Sequence, residues 1–205
     1  MTRKFHFFIL ALLALGILLP VLLLQVRQLK KNAPPVLGQI SDFALVAEDG
    51  KPFTEKNMAG KIWVADFIFT TCAGPCPLMT QKMSDLAGQI PSTPELHFVS
   101  VSVNPDYDTP EILKKYGEKY KADFSRWHFL TGRMQDIHRL ATAEFKLGSV
   151  DNPVFHSDRF VLVDSSLRIR GYYDVQDPEG FEKLKIDLKW LLETPAVCQY
   201  LISLL

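Results

Sequence analysis

The sequence has few cysteines and no excess charge of either sign. Only three cysteines occur among 205 residues. This excludes a small scaffold held together by many disulfides, so the fold must depend on an ordinary apolar core. The 23 basic residues equal the 23 acidic ones, which argues against a nucleic-acid-binding protein. Internal repeats and low-complexity segments are also absent, so the length predicts one domain with a short appendage.

Charged residues are absent from residues 7–24, between Arg3 and Lys4 on one side and Arg27 on the other. This run exceeds the roughly 7–15 apolar residues of a cleaved secretory signal, and no Ala-x-Ala cleavage pattern closely follows it. It approaches the ~20 residues that span a bilayer. We therefore expect residues 1–27 to form an uncleaved transmembrane signal-anchor.

The charges flanking this segment do not fix its orientation, because basic residues lie on both sides. A single N-terminal anchor usually places the rest of the chain outside the cytoplasm. The expected location is therefore the inner (cytoplasmic) membrane, with a single pass and the soluble domain in the periplasm. Residues 28–40, with Pro34 and Pro35, are interpreted as a short stiff linker.

Strand-like and helical segments alternate through residues 41–193, the predicted soluble domain. The two strongest strands are nearly continuous apolar runs, as in strands buried on both faces, although Asp66 interrupts the first of them. These strands are expected at 62–69 and 96–103, and helices with regular apolar spacing at 77–90, 109–120 and 180–192. With a late hairpin around residues 164–166, the pattern predicts an α/β fold with a central mixed sheet flanked by helices.

The apolar tail, residues 194–205, gives no clear pattern. It is expected either to pack on the domain or to lie against the membrane. Its Cys198 is interpreted as a buried or incidental thiol.

Cys72 and Cys76 lie in Phe-Thr-Thr-Cys-Ala-Gly-Pro-Cys-Pro, directly after the first predicted strand. Two thiols at this spacing can share a soft metal ion, exchange electrons as dithiol and disulfide, or close a small structural ring. The ring is the weakest explanation, because so short a loop adds only about 2 kcal/mol of stability. Free N–H groups and the helix dipole favour thiolates at a strand–helix junction, which suits metal binding and redox chemistry alike.

The spacing differs from the Cys-x-x-Cys of thioredoxin-like oxidoreductases, and the extra residue allows both sulfurs to ligate one ion. Two thiolates leave a metal under-coordinated, so a third ligand is expected among the five histidines. His6, His97, His128 and His138 are explained most simply as incidental, structural or surface residues. His156 differs, because it lies in the loop Asn-Pro-Val-Phe-His-Ser-Asp-Arg before a predicted strand; its residue type alone leaves a structural role open.

Four separated motifs extend over most of the predicted soluble domain. They are Asp-Phe-Ile-Phe-Thr-Thr-Cys-Ala-Gly-Pro-Cys-Pro (66–77), Val-Ser-Val-Asn-Pro-Asp-Tyr-Asp-Thr-Pro (101–110), Trp-His-Phe-Leu-Thr-Gly (127–132) and His-Ser-Asp-Arg-Phe-Val-Leu-Val-Asp (156–164). In these motifs the chain resembles the Sco/SenC family of copper-binding proteins. The resemblance implies a thioredoxin-like fold.

The resemblance further implies that Cys72, Cys76 and His156 ligate copper. Soft thiolates favour Cu(I), and imidazole accepts Cu(I) or Cu(II), whereas a closed structural zinc site normally has four ligands. The implied function is that of a membrane-anchored copper chaperone, not an enzyme. It would deliver copper, or reducing equivalents, to the dinuclear copper centre of cytochrome c oxidase in the respiratory chain. The implied partner is the copper-bearing oxidase subunit or another copper protein.

The motifs depart from the family pattern at two places, and neither is a ligand. Ala73, Gly74 and Pro75 stand where the family often has Pro-Asp-x, and Asn104 stands where Asp is common. An alternative function is a thiol-disulfide oxidoreductase acting on extracytoplasmic protein cysteines. Cys72 would then be the nucleophile and Cys76 the resolving thiol, with His156 an acid–base or structural group. An interaction module with an incidental site is the third interpretation.

Overall fold

The computed structural model describes residues 30–90, 93–148 and 158–204, together with Gly16, Leu18, Pro20, Arg27 and Gln28. The chain divides into two units, one formed by residues 34–193 and the other by the two chain ends.

The first unit alternates strands and helices, as the apolar spacing of the sequence predicts. The strands are β1 (Gly38–Gln39), β2 (Ala44–Ala47), β3 (Pro52–Thr54), β4 (Ile62–Ile68), β5 (Leu96–Ser102), β6 (Trp127–Thr131), β7 (Arg159–Val163) and β8 (Arg168–Asp174). The helices are α1 (Glu55–Met58), α2 (Cys76–Gln89), α3 (Pro110–Lys119), α4 (Met134–Arg139), which continues into a π-helical turn (Leu140–Glu144), and α5 (Pro178–Glu193).

The eight strands of the described chain form one sheet in the order β1-β8-β7-β4-β5-β6-β2-β3. The central strands β4, β5 and β6 are parallel, and the remaining pairs are antiparallel. The carboxyl ends of β4, β5 and β6 therefore share one edge of the sheet. Because β7 is antiparallel to β4, β7 begins at that same edge.

Side chains of the central strands alternate between two apolar cores, one on each face of the sheet. On one face Trp63, Ala65 and Phe67 of β4 pack against the segment after α4. On the other face Ile62, Val64 and Ile68 pack with residues of α2, α3 and α5. All seven residues of β4 are buried. The predicted α/β fold with a mixed sheet flanked by helices is confirmed.

Residues 34–40 differ from the predicted linker, because they are bound along the edge of the sheet. Strand β1 pairs with β8, and the Leu37 N–H donates to the carbonyl of Ile169 at 2.8 Å. The buried Arg170 guanidinium donates to the Pro34 carbonyl through Nε at 3.1 Å and Nη2 at 2.5 Å. An extended, proline-stiffened segment offers unpaired backbone groups, and β8 supplies their partners.

The second unit contains helix α6 (Ala196–Leu204). Gln199 donates from Nε2 to the Thr194 carbonyl at 2.7 Å, and Cys198 is a half-buried free thiol. Within the part of the chain that the structure describes, no helix combines the length and hydropathy needed to cross a membrane. The predicted signal-anchor, residues 1–27, lies almost wholly outside the described residues.

Two helical glycines provide a matched test of the packing. A β-carbon at Gly117 in α3 would lie 2.8 Å from ring carbons of both Phe124 and Phe129, whereas one at Gly88 in α2 meets no described atom within 4 Å. We expect Gly117→Ala to lower the free energy of unfolding by about 1–3 kcal/mol through overpacking. Gly88→Ala should raise it by up to about 1 kcal/mol through helix propensity. Urea unfolding measures both, and equal stability of the two variants would contradict the tight packing at Gly117.

Candidate metal centre

Cys72 and Cys76 lie at the edge of the sheet where the parallel strands end. Strand β4 ends at Ile68, the connecting loop carries the half-buried Cys72, and α2 begins at Cys76, which is only 4% exposed. Pro77 occupies the second helical position rather than the first. The predicted strand–loop–helix arrangement places both sulfurs at one site, and both are free thiols.

The two thiols differ in how readily they ionise. Burial raises the pKa of Cys72, but hydrogen bonds from the Cys76 thiol, the Cys76 N–H and the Gly74 N–H outweigh this and leave the pKa lowered. The Gly74 nitrogen lies 3.4 Å from the Cys72 sulfur. Burial and the hydrogen bond that it donates to Cys72 raise the pKa of Cys76 to about 12. Cys72 is therefore the thiol that ionises first, and Cys76 holds the proton that stabilises its thiolate.

The start of the cysteine loop is fixed by a buried carboxyl from another part of the chain. Asp108 is fully buried. Its oxygens accept hydrogen bonds from both the backbone N–H and the hydroxyl of Thr70, two residues before Cys72. The sequence motif 101–110 contains Asp108, but its partner could not be assigned without the pairing of β4 with β5.

Two of the histidines lie at the opposite edge of the sheet from the cysteines. His97 and His128 are near the amino ends of β5 and β6, with their rings stacked 5.8 Å apart. Burial lowers the pKa of His97 to about 4, and its Nε2 lies 3.2 Å from the Pro94 carbonyl. His138 is exposed on α4. The structure therefore brings none of these three to the cysteine pair, in agreement with their predicted structural or surface roles.

His6 and His156 lie outside the described residues. Among the residues that are described, no group of three or more His, Cys, Asp or Glu side chains is arranged to hold a metal ion. Asp158, two residues after His156, is described, and its carboxylate opposes ionisation of Cys72. The chain therefore returns close to the cysteine pair just before β7 begins.

The sequence profile of the SCO1/SenC family matches residues 34–193. The chain belongs to the SCO1/SenC family. A SCO1 protein homolog of Bacillus subtilis is 31% identical over 161 residues, covering 76% of this chain and 83% of the relative.

Solved structures of SCO1/SenC proteins share the fold. A SCO1/SenC family lipoprotein from Bacillus anthracis is 34% identical with a TM-score of 0.69, covering 78% of this chain and 99% of that one. BsSco, described as a cytochrome c oxidase assembly protein with a disulfide switch, is 32% identical with a TM-score of 0.66, covering 78% and 97%. Copper-bound ScoI of Bradyrhizobium japonicum is 22% identical with a TM-score of 0.61, covering 76% and 99%, a likeness that shows the fold alone.

A second buried carboxyl in this SCO1/SenC domain has a different environment from Asp108. Asp66 on β4 is fully buried, and neither of its oxygens completes a hydrogen bond within the described chain. Burial raises the pKa of Asp66 to about 7, although the nearby Ser100 hydroxyl partly favours the ionised form. The negative charge of Asp66 is also one of the factors that raise the pKa of Cys76. In the sequence, Asp66 was notable only as a charged residue inside an apolar run.

The raised pKa of Asp66 predicts how folding stability depends on pH. The folded pKa of about 7 lies above the ordinary value of 3.8, so the folded state binds the extra proton between these values. Wild-type stability is therefore lost as the pH rises from ~4 to ~7. We expect Asp66→Asn to remove this loss. Its stability relative to wild type should increase by as much as about 4 kcal/mol between pH 4 and pH 8.

Chemical denaturation at several pH values measures this difference. Asp136→Asn is a control with the opposite pH dependence, because the hydrogen bond from Arg133 lowers the pKa of Asp136. Its stability relative to wild type should decrease, not increase, as the pH rises. Parallel pH profiles for wild type and Asp66→Asn would show that Asp66 titrates normally in the folded protein.

Proposed function

We propose that this protein is a membrane-anchored copper-binding chaperone in which Cys72, Cys76 and His156 bind copper as cargo. It delivers the copper, or reduces the copper-site cysteines, during assembly of the dinuclear copper centre of cytochrome c oxidase. The observation that carries the proposal is a pair of free thiols at the strand–helix junction of a SCO1/SenC domain. BsSco, a relative of the same fold, is described as an oxidase assembly protein.

The path of the chain supports His156 as the third ligand. Strand β7 starts at the edge where β4 ends, since Val161 pairs with Ala65 in antiparallel register. The carboxylate of Asp158 opposes ionisation of Cys72, so the described chain resumes near the cysteine pair two residues after His156 in sequence. This is the support for proposing His156 as the third ligand.

The ligand set suits an ion that must be passed on. Thiolates favour Cu(I), and an imidazole retains affinity for Cu(II). Three protein ligands leave one side of the ion open to an incoming ligand from the recipient. Since only deprotonated thiols ligate the metal, oxidation of Cys72 and Cys76 to a disulfide removes two of the three ligands and prevents copper uptake.

A thiol-disulfide oxidoreductase is the second candidate, and the thiol asymmetry favours it. A half-exposed Cys72 with a lowered pKa, next to a buried Cys76 with a raised one, is the arrangement of an attacking and a resolving thiol. In this alternative, His156 is not a metal ligand and the protein does not carry copper.

We expect the reduced full-length protein in detergent to bind one copper ion. Copper(II) binding should produce a thiolate-to-copper charge-transfer absorption band that is lost in Cys72→Ser and in Cys76→Ser. His156→Ala should weaken copper binding by at least about tenfold, because it removes one of three ligands. Competition with chelators of known affinity measures this for Cu(I) and Cu(II).

His138→Ala is the matched control, because His138 is an exposed histidine on α4 and its loss should leave copper affinity unchanged. If His156→Ala binds Cu(I) and Cu(II) as tightly as wild type and still reduces protein disulfides, the oxidoreductase function replaces the chaperone function.

Placement in the inner membrane, with the domain in the periplasm, is part of the same proposal. We expect the full chain to stay in the membrane fraction after alkaline carbonate extraction, and a chain lacking residues 1–27 to be released, because ~20 apolar residues suffice to span a bilayer. In spheroplasts, added protease should digest the domain. Protection of the domain from protease would place it in the cytoplasm and rule out this orientation.

A further inference from the structure

Asp108 has the contacts of a carboxylate built to accept hydrogen bonds. Its Oδ2 accepts from the Thr70 N–H at 3.1 Å and from the Ser102 hydroxyl at 2.5 Å. Its Oδ1 accepts from the Thr70 hydroxyl. The side chain is completely shielded from solvent, so no water competes for these oxygens and each donor is held by Asp108.

These contacts join the ends of two parallel strands. Ser102 is the last residue of β5, and Thr70 follows the end of β4 by two residues. The turn that carries Asp108 is itself fixed, because the Asp108 N–H donates to the Asn104 carbonyl at 2.9 Å. The Asn104 N–H in turn donates to the Ser102 hydroxyl oxygen at 3.0 Å. Asp108 is therefore a rigid attachment point.

The cysteine loop spans the distance between this attachment and helix α2. At the helix end, Cys76 is packed in the core, and its carbonyl accepts from the Thr80 hydroxyl at 2.9 Å. At the strand end, Thr70 is held by Asp108, and the Cys72 N–H donates to the Phe69 carbonyl at 3.2 Å. The position of the Cys72 sulfur relative to Cys76 depends on both ends.

Loss of the carboxyl would free the strand end of the loop. The Thr70 N–H, the Thr70 hydroxyl and the Ser102 hydroxyl would all lose their acceptor in a buried place, which is unfavourable for each unsatisfied group. The loop would relieve this cost by moving the Thr70 groups toward water. Such a movement would increase the range of separations between the two sulfurs, and a disulfide tolerates only a narrow range.

We propose that Asp108 is the positioning residue of the cysteine pair: by holding Thr70 it sets the separation of the Cys72 and Cys76 sulfurs. The inference rests on the proposed function in that it concerns the same site. The sulfur geometry can nevertheless be measured without copper, so the two proposals fail independently.

The test is the equilibrium of the cysteine pair with glutathione at fixed pH. Cys72 and Cys76 each lose a proton and together lose two electrons as the sulfur–sulfur bond forms. Glutathione disulfide takes up the two electrons and two protons and becomes two glutathione molecules. The equilibrium constant gives the effective concentration of one thiol at the other, which falls when the loop is less ordered. Cu(I) affinity, measured separately, reports the same geometry through the metal.

Four variants of the full-length protein isolate the effect. Asp108→Ala removes all three contacts, and Thr70→Val removes only the hydroxyl contact. Asp108→Asn is the rescue variant, because its amide oxygen can accept from the Thr70 N–H and the Ser102 hydroxyl while its NH₂ donates to the Thr70 hydroxyl oxygen. Glu144→Ala is the matched control, since the buried Glu144 carboxyl likewise accepts from the N–H and hydroxyl of one residue, Ser41, at 2.7 Å each.

We expect Asp108→Ala to lower the equilibrium constant about tenfold or more and Thr70→Val about threefold, as effective concentration follows loop order. Asp108→Asn should stay within about threefold of wild type and Glu144→Ala within about twofold, the latter despite a comparable loss of unfolding free energy. If Asp108→Ala does not fold, Thr70→Val and Asp108→Asn are compared with Glu144→Ala alone. An equilibrium constant in Asp108→Ala or Thr70→Val no lower than in Glu144→Ala overturns the proposal.

Discussion

The parallel pairing of β4 with β5 is the constraint on which the rest of the domain depends. The pairing runs in register from Ile62 and Leu96 to Ile68 and Ser102, and every residue of both strands is buried. Because parallel strands end at the same edge, the chain must leave both strands side by side. The cysteine loop and the turn that carries Asp108 are therefore neighbours, although they are far apart in sequence.

The same constraint separates the polar groups of the domain into two environments. His97 and His128 lie near the amino ends of the strands, where their rings stack on each other at the edge opposite the cysteines. The carboxyl ends hold the thiols, where the first turn of α2 and the Gly74 N–H favour a charged sulfur at Cys72. The site is thus asymmetric because Cys72 is half-buried in a loop, whereas Cys76 is the buried first residue of α2.

Much of this architecture follows from local patterns in the sequence. The apolar runs at 62–69 and 96–103 and the helical spacing at 77–90 correspond to β4, β5 and α2, because burial on both faces and an amphipathic period leave direct traces in residue order. The edge strand β1 could not be predicted, since its partner β8 lies some 130 residues away and supplies the register.

The environments of the buried carboxyls were still harder to predict from the sequence. Asp66 was visible as a charge inside an apolar strand, but its raised pKa depends on the helices that cover that face of the sheet. The contact of Asp108 with Thr70 crosses 38 positions in sequence and exists only because β4 and β5 end together. His156 was identified through the resemblance of motifs, and its role as a ligand stays a prediction.

Asp66 and Asp108 have equal burial but opposite consequences. Asp108 accepts three hydrogen bonds from protein donors and so ties two strand ends together. Asp66 completes none within the described part of the chain, so its ionisation is opposed by the fold and lowers stability at neutral pH. Its charge is also the smallest of the named causes that raise the pKa of Cys76. The fold therefore keeps Asp66 buried near its cysteine pair, where ionisation of the carboxyl both destabilises the protein and opposes a negative charge on Cys76.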